Sequence, residues 1–293
     1  MKTRVFILTL VAMIAFASNS LLCRAALKQT SIDPATFTFV RILSGAIALW
    51  LISVVAAVCD RRNNPNGAHR APLQGSWSSA LALFIYAAGF SFAYVDLSAG
   101  TGALLLFGAV QATMIVSGLS KGERFDALQI LGVVVALIGL VVLVFPGISA
   151  PPLIGSIFML AAGIAWGVYS LRGRNATNAT AATSGNFLRA APFAFVVSLV
   201  MLPRFHFDSL GVTYAAISGA ITSGLGYVIW YAALSGLKAL SAATVQLSVP
   251  VLAATGGILL LGESISFRYV IASIAVLGGI FLVIIERRST SPV

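Results

Sequence analysis

Residues 164–174 read IAWGVYSLRGR, and residues 14–24 read IAFASNSLLCR. At an offset of 150, Ile, Ala, Ser, Leu and Arg recur in register, and Phe16 falls opposite Trp166. The echo extends outward from this pair. Phe39-Val40-Arg41 aligns with Phe187-Leu188-Arg189 at an offset of 148, and Gly122-Glu123 aligns with Gly262-Glu263 at an offset of 140. A long apolar run follows each Gly-Glu pair, and within it Gly139 falls on Gly279. Anchors that recur in one order with small drifts in offset mark a duplicated chain. The expected organisation is a first repeat over 1–147, a linker over 148–152 and a second repeat over 153–293.

Of the 293 residues 59% are hydrophobic and 9% are charged, and the mean hydropathy is +1.00. A soluble domain carries about 25% charged residues, so this chain is built for lipid. A membrane-spanning helix needs about 20 mostly apolar residues. The apolar runs predict ten of them, over 5–26, 34–58, 76–96, 99–119, 127–145, 153–172, 184–203, 209–234, 238–261 and 267–286. Pro34, after Asp33, suits a first helical turn, and Pro146-Gly147 stops the fifth helix. The stretch from Asp60 to Pro72 reads as a polar loop. The first 20 residues resemble a secretory signal, with Lys2, Arg4 and a cleavage-like Ala15-Phe16-Ala17. The repeat argues that they stay as helix 1, because their removal would delete the partner of the helix that carries Trp166.

The net charge of +10 does not point to nucleic acid, because the basic residues sit at the ends of apolar runs and form no polar face. With the N-terminus in the cytoplasm, 12 Lys and Arg fall on that side and four on the other, while Arg41 and Arg189 lie within helices. Such a bias orients a membrane protein and places both termini in the cytoplasm. Five crossings per repeat is an odd number, so the second repeat enters from the opposite side. The expected fold class is therefore an all-α integral membrane protein, with ten transmembrane helices in two inverted five-helix repeats. Such architectures hold a substrate near the bilayer midplane between the repeats. Cys23 and Cys59 lie near opposite ends of the first hairpin and suggest neither a disulfide nor a metal motif. The sequons at Asn175 and Asn178 fall on the cytoplasmic side and are given no role.

Both histidines, His69 and His206, lie in predicted loops, and no HExxH occurs. No nucleophile–base or metal set can form within the helices, so a membrane protease or metalloenzyme is disfavoured, and neither cofactor nor metal is expected. All eight acids fall at helix ends or in loops; proton coupling would have to use Asp96, Glu123 or Glu263. Helix 9 lacks a mid-membrane Lys or Arg, which phosphorylated substrates would want.

The candidates for a central cavity are Asn19, Tyr86, Phe90, Tyr94, Phe107, Gln111, Trp166, Tyr169, Tyr227, Trp230, Tyr231, Gln246 and Pro250. Gln111 and Gln246 sit mid-helix, where an amide facing hydrocarbon is costly. Pro250 frees a backbone carbonyl, which is tolerable inside protein or along a cavity. Trp166 and Tyr169, like Tyr227 and Trp230, are three apart and share a helix face. Ordinary packing or an interfacial belt is the competing reading for each aromatic. Arg41 and Arg189 either snorkel or bind helix-end carbonyls, or act at a gate or substrate. A cavity of aromatic faces, amides and hydroxyls suits an amphipathic organic solute. Gly132-x-x-x-Ala136, Gly139 and Gly278-Gly279 mark close helix packing and make helices 5 and 10 a scaffold or a homodimer contact.

Ten helices in two inverted five-helix repeats resemble the drug/metabolite transporter superfamily, in particular its EamA-type exporters. The residues that carry the resemblance are the motifs around Asn19 and Trp166, the Phe-x-Arg motifs at Arg41 and Arg189, Pro250, and the Gly-Glu turns at Glu123 and Glu263. Within the superfamily the chain looks closest to YddG-like exporters of aromatic amino acids and some cationic drugs. Phe16 and Val110 stand where that pattern has Trp and Pro. The resemblance implies an inner-membrane secondary transporter, not an enzyme, that exports amino acids (aromatic or other neutral) and related metabolites or drugs by alternating access. A cationic drug exporter is the alternative within transporters; a membrane-embedded enzyme or a non-transporting scaffold is the alternative outside them. The implied partners are a small-molecule substrate and the lipid bilayer.

Overall fold

The computed structural model describes residues 3–63, 74–120, 122, 127–145, 150–173, 178–234 and 245–285. Glu123 and the side chain of Tyr231 lie outside them. Ten helical spans follow one another: α1 (Thr3–Gln29), α2 (Pro34–Asn63), α3 (Trp77–Tyr94), α4 (Ala99–Ser120), α5 (Ala127–Val144), α6 (Leu153–Gly173), α7 (Ala179–Val200), α8 (209–234), α9 (Ser248–Leu261) and α10 (Phe267–Ile285). No strand occurs among the described residues. Eight spans are long and apolar enough to cross a membrane, and α9 and α10 are shorter apolar helices within the described residues.

Local chemistry sets the helix ends. Asp33 Oδ1 accepts from the backbone N–H groups of Ala35 and Thr36 at 3.0 and 2.9 Å, and Pro34 opens α2. Ser76, Asn178 and Asp208 cap α3, α7 and α8 in the same way. Three boundaries differ from expectation, one of them at α9, which begins at Ser248 within the expected 238–261. Helix α2 continues to Asn63, so the first part of the expected polar loop is helical. Helix α7 begins at Ala179, because the Asn178 side chain accepts from Ala181 N–H and starts the helix upstream of 184. Gly122 and Gly262, equivalent in the repeat, both adopt left-handed φ values of 86° and 63°, a conformation that glycine takes without steric penalty.

The packing has the symmetry of the repeat. Helix α6 packs on α3 and α4 as α1 packs on α8 and α9, and α7 packs on α3 as α2 packs on α8. Three pairs map onto themselves when the halves are exchanged: α2 with α7, α4 with α9, and α5 with α10. In that last pair, a Cβ added at Gly139 would meet Ala275 at 2.8 Å, and one at Gly279 would meet Ala136 N at 2.6 Å.

Loop contacts fix the crossings. On one face, Ser31 N–H and Oγ reach Asp208 Oδ2 at 3.4 Å, and Arg268 donates to the Phe145 carbonyl. On the other, Arg172 donates to the hydroxyls of Ser78 and Ser79, and Ser76 N–H donates to Asn186 Oδ1 at 3.0 Å. The α1–α2 and α7–α8 connections thus share one face, and the α2–α3 and α6–α7 connections share the opposite one. The two repeats run in opposite senses through the layer.

Polarity is inverted relative to a soluble protein. Trp50, Val141, Ile154, Leu259 and Phe267 are exposed on the outside, while Asn19, Arg41, Gln111 and Gln246 are buried within. Apolar side chains face lipid, and most buried polar groups find partners inside.

Candidate functional site

The interior is organised where α1, α3, α6 and α8 converge. Asn19, well inside α1, is a hydrogen-bonding hub. Its Oδ1 accepts from Ser218 Oγ at 2.7 Å and Thr222 Oγ1 at 3.2 Å, and its Nδ2 donates to the Tyr86 hydroxyl at 3.3 Å. Ser218 and Thr222 belong to a π-helical segment, Ser218–Leu225, in the middle of α8. Such segments are rare and recur at functional sites. The local sequence SGAITSGL supplies small residues, so α8 can widen without clashing. At Gly219 a Cβ would run into the Arg41 carbonyl and the Ser44 hydroxyl of α2. That contact brings α2 against the π turn.

Arg41 therefore points into the protein. Its side chain is 1% exposed. Nε donates to Ser223 Oγ at 3.2 Å, and Nη2 donates to the Tyr86 hydroxyl at 2.8 Å. Cζ lies 4.8 Å from the centre of the Phe90 ring and 5.1 Å from that of Tyr86, within cation–π reach. Nη1 is buried with no hydrogen-bond partner among the described residues, and so is the Tyr227 hydroxyl.

Aromatic rings complete the cluster. Trp166 lies 4.8 Å from Tyr86 and 4.8 Å from Tyr227, and stacks on Tyr169 at 5.5 Å. Phe16, its partner in the repeat, packs edge-on against Trp166, Tyr227 and Trp230 at 6.3, 6.0 and 5.8 Å. Tyr94 packs edge-on against Phe90, and Phe187 of α7 closes on Tyr227 at 5.9 Å. Asn19, Tyr86, Phe90, Tyr94, Trp166, Tyr169, Tyr227 and Trp230 are thus joined in one network, drawn from both repeats. Phe107 and Gln111 are buried on α4 and Pro250 on α9, and Gln246 is buried just ahead of α9, not mid-helix as expected. Phe107 makes none of the ring contacts that tie the cluster among the described residues, and Gln111 Nε2 has no partner there. Ser218, Thr222, Ser223, Phe16 and Phe187 were not among the sequence candidates. The small polar run 218–224 in an otherwise apolar helix was the available signal for three of them.

The remaining conspicuous charges lie at the ends of the bundle. Arg24 Nε pairs with Glu263 Oε1 at 3.0 Å, and Arg24 also donates to the Tyr94 and Val95 carbonyls. Glu263 Oε2 accepts from Ala99 N–H at 2.8 Å, capping α4. This latch ties α1, the α3–α4 turn and the α9–α10 turn together at one face. At the other face, Arg189 donates from Nη1 to the carbonyls of Gln74 and Gly185, both at 3.0 Å. Asp96 follows α3 and is exposed. Among the described residues, no group of His, Cys, Asp and Glu could hold a metal ion.

Residues 3–145 and 153–285 each match the EamA-like transporter family. The chain is 52% identical to an uncharacterized protein of Pseudomonas aeruginosa over 284 residues, covering 97% of this chain and 96% of that one. It is 25% identical to an uncharacterized transporter of Archaeoglobus fulgidus over 296 residues, covering 96% and 98%. A crystal structure of a protein that is 16% identical superposes with a TM-score of 0.65, covering 99% of this chain and all of the other, which is a likeness of fold.

Proposed function

The chain belongs to the EamA-like transporter family and is a multi-pass membrane protein; from that premise we propose that it exports amino acids, aromatic or other neutral ones, and related small metabolites across the cell inner membrane. The observation that carries this reading is the network in which Asn19, Tyr86 and Phe90 of the first repeat meet Trp166, Tyr169, Tyr227 and Trp230 of the second. Rings, an amide and hydroxyls at the seam of two inverted bundles suit a solute with an apolar side chain and a polar end.

The same arrangement supports alternating access. One face is held by Arg24 and Glu263, and the other by Arg172 and Arg189 with the start of α3. Rocking one repeat against the other would break one set while keeping the other. The cytoplasmic face is the one bearing the α2–α3 and α6–α7 connections, by the excess of Lys and Arg. Gly278 meets open space on α10, which leaves room for a homodimer contact there. The test is uptake of labelled Phe, Thr and Met into liposomes with the purified protein, with and without a pH gradient. Flux well above empty vesicles for at least one is expected; none for any of a broad panel would overturn the reading.

A further inference from the structure

Arg41 is a buried cation without a counterion. The one ion pair among the described residues is Arg24–Glu263, at the face of the bundle. Arginine stays protonated inside proteins, and a buried charge left unpaired costs several kcal/mol. Ionisable groups at membrane depth are expensive and mark ligand or ion sites. The partners that Arg41 does have, two hydroxyls and two ring faces, leave Nη1 free. The Tyr227 hydroxyl is a second buried group with no hydrogen-bond partner within 3.5 Å among the described residues, and its ring, like that of Tyr86, lies 4.8 Å from Trp166. Native proteins rarely leave such donors unmet. Two donors and a net positive charge, set against rings, describe one end of a binding site for an anion attached to an apolar body.

Resting on the exporter reading above, we propose that Arg41 is the receptor for the substrate's carboxylate, and that the substrate class is the amphipathic carboxylates, in which a free amino group is dispensable. The guanidinium fork matches a carboxylate in geometry and charge, and the Tyr227 hydroxyl is placed to donate as well. Phe90, Tyr86 and Trp166 then cover the apolar body, which an inorganic anion could not exploit. Nothing comparable among the described residues receives an ammonium group. No carboxylate lies in the cluster among the described residues, and the Arg41 charge repels a cation from the ring faces. The same asymmetry excludes cationic drugs.

The experiment uses the full chain with Trp50→Phe and Trp77→Phe, which removes the two exposed indoles and leaves Trp166 and Trp230 as fluorescent reporters. Hydrocinnamate, hydrocinnamamide, phenethylamine and L-phenylalanine are titrated. Hydrocinnamate and L-phenylalanine should bind comparably, with the amide and the amine weaker by about 10- to 100-fold, the value of a charge-assisted hydrogen bond or two. In Arg41→Gln the carboxylate-to-amide preference should fall to near unity, a ratio that a purely structural arginine would not move. Equal binding of the carboxylate and its amide by the parent protein overturns the inference, as does a preference that persists in Arg41→Gln. If that variant does not fold, the parent ratio and Arg41→Lys decide: the lysine keeps the charge, loses the fork and should keep a reduced preference, and an undiminished one counts against the assignment. Binding without flux of any amino acid would sink the exporter reading and leave this site standing. Flux of amino acids with no carboxylate preference would do the reverse.

Discussion

Arg41 and Arg189 descend from one position, yet they do different things. Each ends a Phe-x-Arg motif in the second helix of its repeat. Arg41 meets the π turn of α8 and the hydroxyl of Tyr86 and is almost wholly buried. Arg189 is half-buried and spends its guanidinium on the carbonyls of Gln74 and Gly185 near the end of the bundle. The neighbours decide the outcome. Gly219 lets α8 approach the Arg41 backbone, whereas Gln74 lies beside Gly185 on α7 and presents Arg189 with a carbonyl. Duplication supplied two cations; one became the centre of the interior and the other a clamp between α3 and α7.

The sharpest way to break this comparison is to neutralise each in turn. Arg41→Gln should reduce flux by about 10- to 100-fold, the loss of one or two charge-assisted hydrogen bonds. Arg189→Gln should leave flux within about threefold and lower stability by about 1 kcal/mol, because its bonds are partly solvated. Equal effects in liposome flux assays would show that the two still share a role.

A second contrast concerns Phe16 and Trp166. Trp166→Phe makes the two repeats alike at this place and shrinks the ring that meets Tyr86, Tyr169 and Tyr227. Aromatic pairs are worth about 0.5–1.5 kcal/mol each, so a fall in flux of about 2- to 10-fold is expected, with folding kept. An unchanged flux would move the site elsewhere in the interior. Asn19 and Tyr169 are likewise equivalent at an offset of 150. Asn19→Ala leaves the Ser218 hydroxyl without its acceptor and should cost about 1–3 kcal/mol, read as a lower midpoint of thermal unfolding in detergent.

The smallest effect separates the caps of α3 and α8. Ser76 carries no charge, while Asp208 is a carboxylate whose pKa is held below its ordinary value of 3.8, chiefly by the Gly211 N–H and then by Ser31. A depressed pKa stabilises the folded form above 3.8, and that contribution is lost as pH falls through the lower folded value. Hydrogen exchange at the start of α8 should rise at acid pH, while that at the start of α3 should not. Asp208→Asn should remove the difference.

Much of the fold could be read from the chain because lipid imposes long apolar runs, and the duplicated anchors at Arg24, Arg41 and Gly122 supplied the symmetry. The helix parity then gave the inversion. The interior was harder. The recurrence of Phe-x-Arg could not say which way Arg41 points, because that depends on Gly219, far along the chain. Widening of α8 into a π turn leaves no periodic signature in SGAITSGL. The Arg24–Glu263 latch joins residues 239 apart and could be found only once both helices were in place. Phe16, smaller than its repeat partner Trp166, still occupies the aromatic cluster as an edge-on ring.

The most direct test of the inverted arrangement is sided labelling of single cysteines, placed at Ser31, Ser209, Ser78 and Asn178 in a chain without Cys23 and Cys59. A membrane-impermeant thiol reagent should reach Ser31→Cys and Ser209→Cys from one side of sealed vesicles, and Ser78→Cys and Asn178→Cys from the other. Labelling of the positions at 78 and 178 from opposite sides would contradict two bundles of opposite sense and the shared site between them.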